Sequence, residues 1–354
     1  MRDVKIVIGS AGRRTYLVSW FMAALADLGL PGEVIVTEND VTSPSFGLAH
    51  RSVWMPPYAD PAYAKRMLEL FAAVRPDLFV PLNDFEIDLL SRGLGSRLEE
   101  YGSHVLVPSR QAQRNLSDKL AMSQALAAAG VSTPPTWLAA DLDELRDSAD
   151  GTVSEYVVKH RFGSGSSGLR FATLSQLDAA VAGSLAELPA ADNDPVPDLP
   201  PDARVVVQQR VPGDEYGVDG VFSLTSAAPA LAAVLARRKL QMRAGETDKA
   251  VTVDPDPFVE TVTRLGDLIR PRGLVDIDII RTADGALHVI DINPRFGGGY
   301  PFCHAAGANV PRYMLQSLRG EADPALLEYR TSLTVAKYQD VRVVGELENV
   351  EEGS

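Results

Sequence analysis

Short apolar runs alternate with longer amphipathic stretches at the start of the chain. "VKIVI" (4–8) has the pattern of a buried strand, "GSAGRR" follows as a glycine turn, and "LVSWFMAALADLGL" (17–30) has the apolarity of a buried helix. "EVIVTE" (33–38) and "DLFVPLND" (77–84) predict further strands, with a helical stretch over about 61–73 between them, and "HVLVPS" (104–109) predicts the last. Strand, turn and helix in repetition is the order of a parallel α/β sheet. The "GSAG" turn lacks the full spacing of a dinucleotide fingerprint, so no such cofactor is read from it.

The pattern then changes. In "NLSDKLAMSQALAAAGVSTPP" Ser117 is placed to cap a helix that Gly130 and the Pro134-Pro135 pair end. Lys119 then stands in the first turn, at the positive end of the helix dipole. Two readings stay open: a solvated surface lysine, or a cation facing a bound anion such as phosphate. "YVVKHRFGSGSSGLRF" (156–171) is a strand ending in Lys159, a glycine-serine loop and a second strand. The loop is either a plain flexible hairpin or a cover for phosphates, and it is not a Walker A sequence. Residues 186–203 read as a surface loop, and 205–223 as two strands across a Pro-Gly turn with Glu215 on entry to the second.

Strict alternation returns in "LVDIDII" (274–280) and "VIDINPRFGGGYPF" (289–302). Asp291, Asn293 and Arg295 share one face of a strand, and Ile290 and Ile292 share the other. With Asp284-Gly285 as a two-residue turn, Ala283 faces Ala286, which puts Asp278 opposite Asp291 and Asp276 opposite Asn293. Facing aspartates need a compensating partner, most simply a hard divalent cation such as magnesium. The alternative is the solvent-facing side of an ordinary hairpin. The glycine run at 297–299 lets backbone approach a ligand closely. Upstream, Arg237, Arg238, Lys239, Arg243 and Lys249 form a basic cluster; cations and metal converging on one place suit a transferring phosphoryl group.

Bulk properties narrow the classes. The chain has 354 residues, 45% of them hydrophobic, enough for about two or three packed subdomains. Its 34 basic and 47 acidic residues give a formal net charge of −13, which argues against non-specific binding to nucleic acid or to an anionic membrane and favours small-molecule ligands. The single cysteine, Cys303, cannot form an internal disulfide and reads as a small buried hydrophobe, so a reducing cytoplasm is the simplest compartment. The apolar run at 17–30 is too short to span a bilayer and contains Asp27, and no cleavable signal precedes it.

Taken in order, "SDK" (117–119), "VVKHRFGSGSSG" (157–168), "VVVQQRVPGDEY" (205–216), "RAGET" (243–247), "VDIDI" (275–279) and "DINPRFGGG" (291–299) resemble the ATP-grasp superfamily, in its carboxylate-amine ligase branch similar to the ATP-binding portion of the carbamoyl-phosphate synthase large subunit. The resemblance implies an α/β fold: an N-terminal parallel-sheet (pre-ATP-grasp) domain over 1–112, then a two-lobed α+β ATP-grasp domain with its small lobe at 113–204 and large lobe at 205–354. It implies that Lys119 and Lys159 contact nucleotide phosphates, and that the loop of Gly163, Ser164, Gly165, Ser166 and Gly168 closes over them. Gln208, Gln209 and Val211 would line the adenine hinge, Glu215 would hold the ribose hydroxyls, and Arg243 would meet phosphate. Gln209 stands where the family usually has glutamate, and Asp278 and Asp291 are shorter than the family's usual metal ligands.

The resemblance further implies ATP with two magnesium ions, manganese being the alternative, held by Asp278, Asp291 and Asn293, with Arg295 stabilising the transferred group and Gly297 and Gly298 admitting substrate. In "NDFE", Asp84 and Glu86 either accept a substrate ammonium or belong to a helix cap. The expected activity is ATP-dependent joining of a carboxylate and an amine, both small molecules, with amino acids as the favoured class and a homodimer as the expected assembly. A small-molecule kinase and a nucleotide-binding sensor without turnover are the alternatives.

Overall fold

The computed structural model describes residues 3–149, 151–163, 168–188, 198–225, 228 and 230–345. Its first sheet comprises β1 (Val4–Gly9), β2 (Gly32–Glu38), β3 (Arg51–Trp54), β4 (Leu78–Pro81) and β5 (His104–Val105), all parallel, in the order β3-β2-β1-β4-β5. The apolar runs at 4–8, 33–38 and 77–84 supply β1, β2 and β4. The short strand β3 was not legible, because "RSVW" has no apolar alternation to mark it.

A second sheet, antiparallel in every pairing, has the order β6-β9-β7-β8, with β6 at Thr136–Leu138, β7 at Tyr156–His160, β8 at Arg170–Ala172 and β9 at Val205–Gln209. This sheet runs past the lobe boundary expected at 204 and ends at Gln209. The third sheet, also antiparallel, has the order β14-β13-β10-β11-β12-β15, from β10 (Asp214–Phe222), β11 (Leu231–Arg243), β12 (Glu246–Val253), β13 (Gly273–Arg281), β14 (Leu287–Asn293) and β15 (Thr334–Ala336). The two strands on either side of the Pro-Gly turn therefore belong to different sheets, and the turn is the connection between lobes.

Burial explains which parts are fused. Ile6, Leu17 and Phe21 of the first domain share one apolar cluster with Leu235, Leu274, Phe296 and Met314 of the third-sheet region. The second sheet has a cluster of its own, built from Val158, Leu177, Val205, Val207 and neighbours. Cys303 is fully buried, and burial pushes its thiol up to about 12, as suits a packing residue.

The helix Lys119–Ala128 is capped by Asp118 and not by Ser117, which instead closes a preceding helix, Arg110–Ser117. One Asp118 oxygen accepts from the backbone N–H groups of Leu120 and Ala121, and the carboxylate also receives Arg161 in a bidentate pair at 2.8 and 2.6 Å. Aspartate outcompetes serine here because its charge suits both the helix end and the guanidinium.

Candidate functional site

The β13–β14 hairpin sets the site. Its register pairs Asp276 with Asn293 and Asp278 with Asp291. The turn that produces this is not the expected two-residue one. Thr282 N–H donates to Ala286 and Gly285 N–H to Thr282, so residues 283–285 form the loop and Gly285 takes a positive φ of 89°. A register shift between Asp278 and Ile279 then restores the pairing. That bulge also corrects the apolar face: Val289 and Ile292 enter the core, whereas Ile290 stays half-buried outside it.

The repulsion between the facing carboxylates is met by a side chain that the sequence did not single out. Lys239 Nζ lies 2.7 Å from Asp278 and 2.6 Å from Glu215, and its side chain is only 8% exposed. Asn293 Nδ2 donates to Asp291 at 3.1 Å. Burial pushes the Asp278 carboxyl up to about 7, helped by Asp276 and Asp291 and opposed by Lys239. Among the described residues no group of three or more His, Cys, Asp or Glu side chains is arranged to hold a metal. Asp278, Asp291 and Asn293 present two carboxylates and an amide, all hard oxygen donors, and in that chemistry the residues fit magnesium.

Behind this face lies a buried ion network. Arg237, 1% exposed, donates to Asp219 at 2.5 Å and to Asp276 at 2.9 Å. Burial pushes the Asp219 carboxyl up to about 7 against the pull of Arg237. This network accounts for two of the three glycines. A Cβ on Gly297 would lie 2.1 Å from the Asp276 carboxyl group, and one on Gly299 would lie 2.0 Å from Arg237 Nη2. Gly298 alone has room, with its nearest neighbours, Glu246 and Lys337, at 3.5 Å. Packing, and not passage of a substrate, explains why Gly297 is glycine.

The second sheet brings cations toward the hairpin. Lys159 donates to Gln208 Oε1 at 2.9 Å, and Gln208 donates to Thr136 at 2.9 Å. Burial lowers the Lys159 ammonium to about 8; Lys119 lowers it further, while Asp291, Asp278 and Glu215 raise it. Those influences bring both lysines and the hairpin carboxylates into one electrostatic neighbourhood. Lys119 Nζ donates to the Gly163 carbonyl at 2.6 Å, which fastens its helix to the start of the glycine-serine loop. Gly163 and Gly168 have positive φ of 135° and 64°, and a Cβ on Gly168 would meet His160 at 2.3 Å. Ser164, Gly165 and Ser166 lie outside the described residues. Gln209 ends β9, half-buried Val211 follows in the connection, and Glu215 enters β10. Arg243 is exposed at the tip of the β11–β12 hairpin, opposite Glu246, and is not drawn into the carboxylate patch.

The first domain closes the site from the other side. Asp84 pairs bidentately with Arg295 at 2.7 and 2.9 Å, and Arg295 also reaches Asn293 Oδ1 at 3.3 Å. The helix cap is Asn83, whose side chain accepts from Phe85 N–H, so Asp84 is not a cap. Glu86 does not face the site at all. It is fully buried, accepts from Tyr63 and Ser10, and is pushed up to about 7 by burial. A carboxyl sealed in this way cannot receive a substrate ammonium.

Comparison with known proteins follows the same lines. Residues 116–299 match a family model described as ATP-grasp domain, and residues 6–106 match one described as PylC-like, N-terminal domain. No curated protein sequence matches the chain. Among solved structures, a biotin carboxylase from Campylobacter jejuni in complex with β-γ-ATP is similar with a TM-score of 0.69 at 15% identity, over 94% of this chain and 74% of that one. An N5-carboxyaminoimidazole synthetase from Staphylococcus aureus complexed with ADP gives a TM-score of 0.65 at 15% identity, over 93% and 81%. An L-amino acid ligase from Bacillus licheniformis gives 0.65 at 16% identity, over 94% and 79%.

Proposed function

The chain belongs to the ATP-grasp family, and from that premise we propose that it is an ATP-dependent carboxylate-amine ligase acting on amino acids. A carboxylate oxygen of one substrate attacks the γ-phosphorus of ATP and releases ADP. The neutral amine of a second substrate then attacks the acyl carbon, and phosphate leaves with the electron pair of the broken C–O bond. The observation that supports this reading is the hairpin register that faces Asp278 with Asp291, with Lys159 within electrostatic reach of both and of Lys119. A carboxylate approaching a polyanionic nucleotide is repelled unless cations offset the charge.

In this reading Lys119 and Lys159 hold phosphate oxygens, and Gln208 fixes the direction of the Lys159 ammonium. Gln209 and Val211 line the adenine, and Glu215, steadied by Lys239, takes the ribose. Asp278, Asp291 and Asn293 would hold magnesium, which supplies Lewis-acid charge neutralisation at the phosphates. Arg295, held in direction by Asp84, faces the developing acyl phosphate. Mixed cations and anions around that group suit zwitterionic substrates, and one structural neighbour is an amino acid ligase. The test is release of ADP with amino acids supplied singly and in pairs, with hydroxylamine as a surrogate amine. A ligase requires two substrates and yields a hydroxamate; ADP release with one substrate and no hydroxamate identifies a kinase and overturns the proposal.

A further inference from the structure

The parallel sheet has its topological switch between β1 and β4, where the chain leaves β1 for β2 on one side and later returns to β4 on the other. In open α/β sheets the crevice outside the strand ends at such a point is where ligands bind. Arg14 straddles it. The residue follows β1, and its Nη1 donates at 2.6 Å to the carbonyl of Leu82, just past β4.

That hydrogen bond satisfies a donor but not the charge. Among the described residues Arg14 has no ion pair. The nearby carboxylates are committed elsewhere: both Asp84 oxygens go to Arg295, and Glu246 pairs with Lys337 at 2.9 Å. The group beside it is a second cation, and burial first, then Arg295, disfavours the Arg14 charge. Arg14 is also the N-cap residue of the helix Thr15–Asp27, whose first turn has no side-chain cap and no acidic residue. A half-buried guanidinium with no carboxylate partner, beside a helix N-terminus with no side-chain cap, makes this spot positive and suits it to an anion.

We propose that Arg14 is a specificity-determining residue that receives a carboxylate of the amino acid substrate in the crevice between β1 and β4. A guanidinium fork offers two parallel donors to a planar carboxylate. The assignment of the carboxylate to a reacting substrate rests on the ligase reading above, but the anion site itself does not.

The experiment is therefore a binding measurement. Glutarate, a dicarboxylate without an amine, is titrated calorimetrically into the full chain at saturating magnesium-ADP. The wild type binds it. Arg14→Met weakens binding about tenfold or more, the loss of a charge-assisted contact. Arg14→Lys, which keeps the charge and guards against a folding artefact, is intermediate, and the exposed neighbour variant Arg13→Met is within about twofold of wild type. No binding by the wild type, or equal binding by Arg14→Met, overturns the proposal. Failure of the ligase assay with this titration succeeding would remove only the substrate assignment of the function, not the carboxylate site.

Discussion

At the scale of single residues, the basic cluster at 237–249 shows what alternation can and cannot reveal. Arg237 and Lys239 fall on one face of β11 and Arg238 on the other, which follows from strand period alone. Their partners lie in other strands: Asp219 and Asp276 for Arg237, Glu215 and Asp278 for Lys239. No local pattern gives those, so Lys239 is marked in the sequence only as one member of a basic cluster, while the family resemblance points to Arg243, which is exposed. Glu86 was misplaced for a related reason. Its position after a strand was legible, but its burial depends on Tyr63 and Ser10, brought together by the sheet. Because burial raises the Glu86 carboxyl from 4.5 to about 7, the folded protein holds its proton more tightly than the unfolded chain does. Stability from this group is full below about pH 4.5 and is lost as pH rises to about 7. Glu86→Gln should thus resemble wild type in urea unfolding at pH 5 and exceed it by roughly 2–3 kcal/mol at pH 8. An unchanged difference between the two pH values would show that Glu86 does not titrate as its burial implies.

At the scale of elements, the hairpin that carries the carboxylates was legible in pairing but not in shape. The expected turn was one residue too short, and the bulge beyond Asp278 cancels the offset, so the facing pairs emerge by a different route. Alternation fixes which residues share a face near Asn293; it does not reveal a bulge, which is why Ile290 was assigned wrongly to the core face. The glycine run was likewise visible while its cause was not. Gly297→Ala and Gly299→Ala should each destabilise the protein by about 2 kcal/mol or more, because a methyl group would overlap Asp276 or Arg237. Gly298→Ala, whose methyl would make only ordinary contacts with Glu246 and Lys337, should stay within about 0.5 kcal/mol of wild type. Thermal or urea unfolding of the three variants checks the order, and equal effects would contradict it.

At the scale of the whole molecule, two of the three sheets share a core and the third does not. The first domain and the β10–β15 sheet are joined by common apolar packing and by the Asp84–Arg295 pair, so the β13–β14 hairpin and Arg14 are held in fixed relation. The β6–β9 sheet has its own core; the chain enters it from the helix Lys119–Ala128 and leaves it through 210–213 toward β10. The order of α/β units and the family motifs made this division readable in outline; the shared core was not, because it joins segments far apart in sequence. The central claim is that these parts transfer a phosphoryl group to a carboxylate. It is tested most directly by supplying the acyl-donor amino acid with 18O in its carboxylate, alongside ATP, magnesium and the amine. Attack of that carboxylate on the γ-phosphorus, followed by displacement at carbon, predicts ADP and inorganic phosphate carrying one 18O per amide formed. Unlabelled phosphate, or AMP with pyrophosphate, would contradict it.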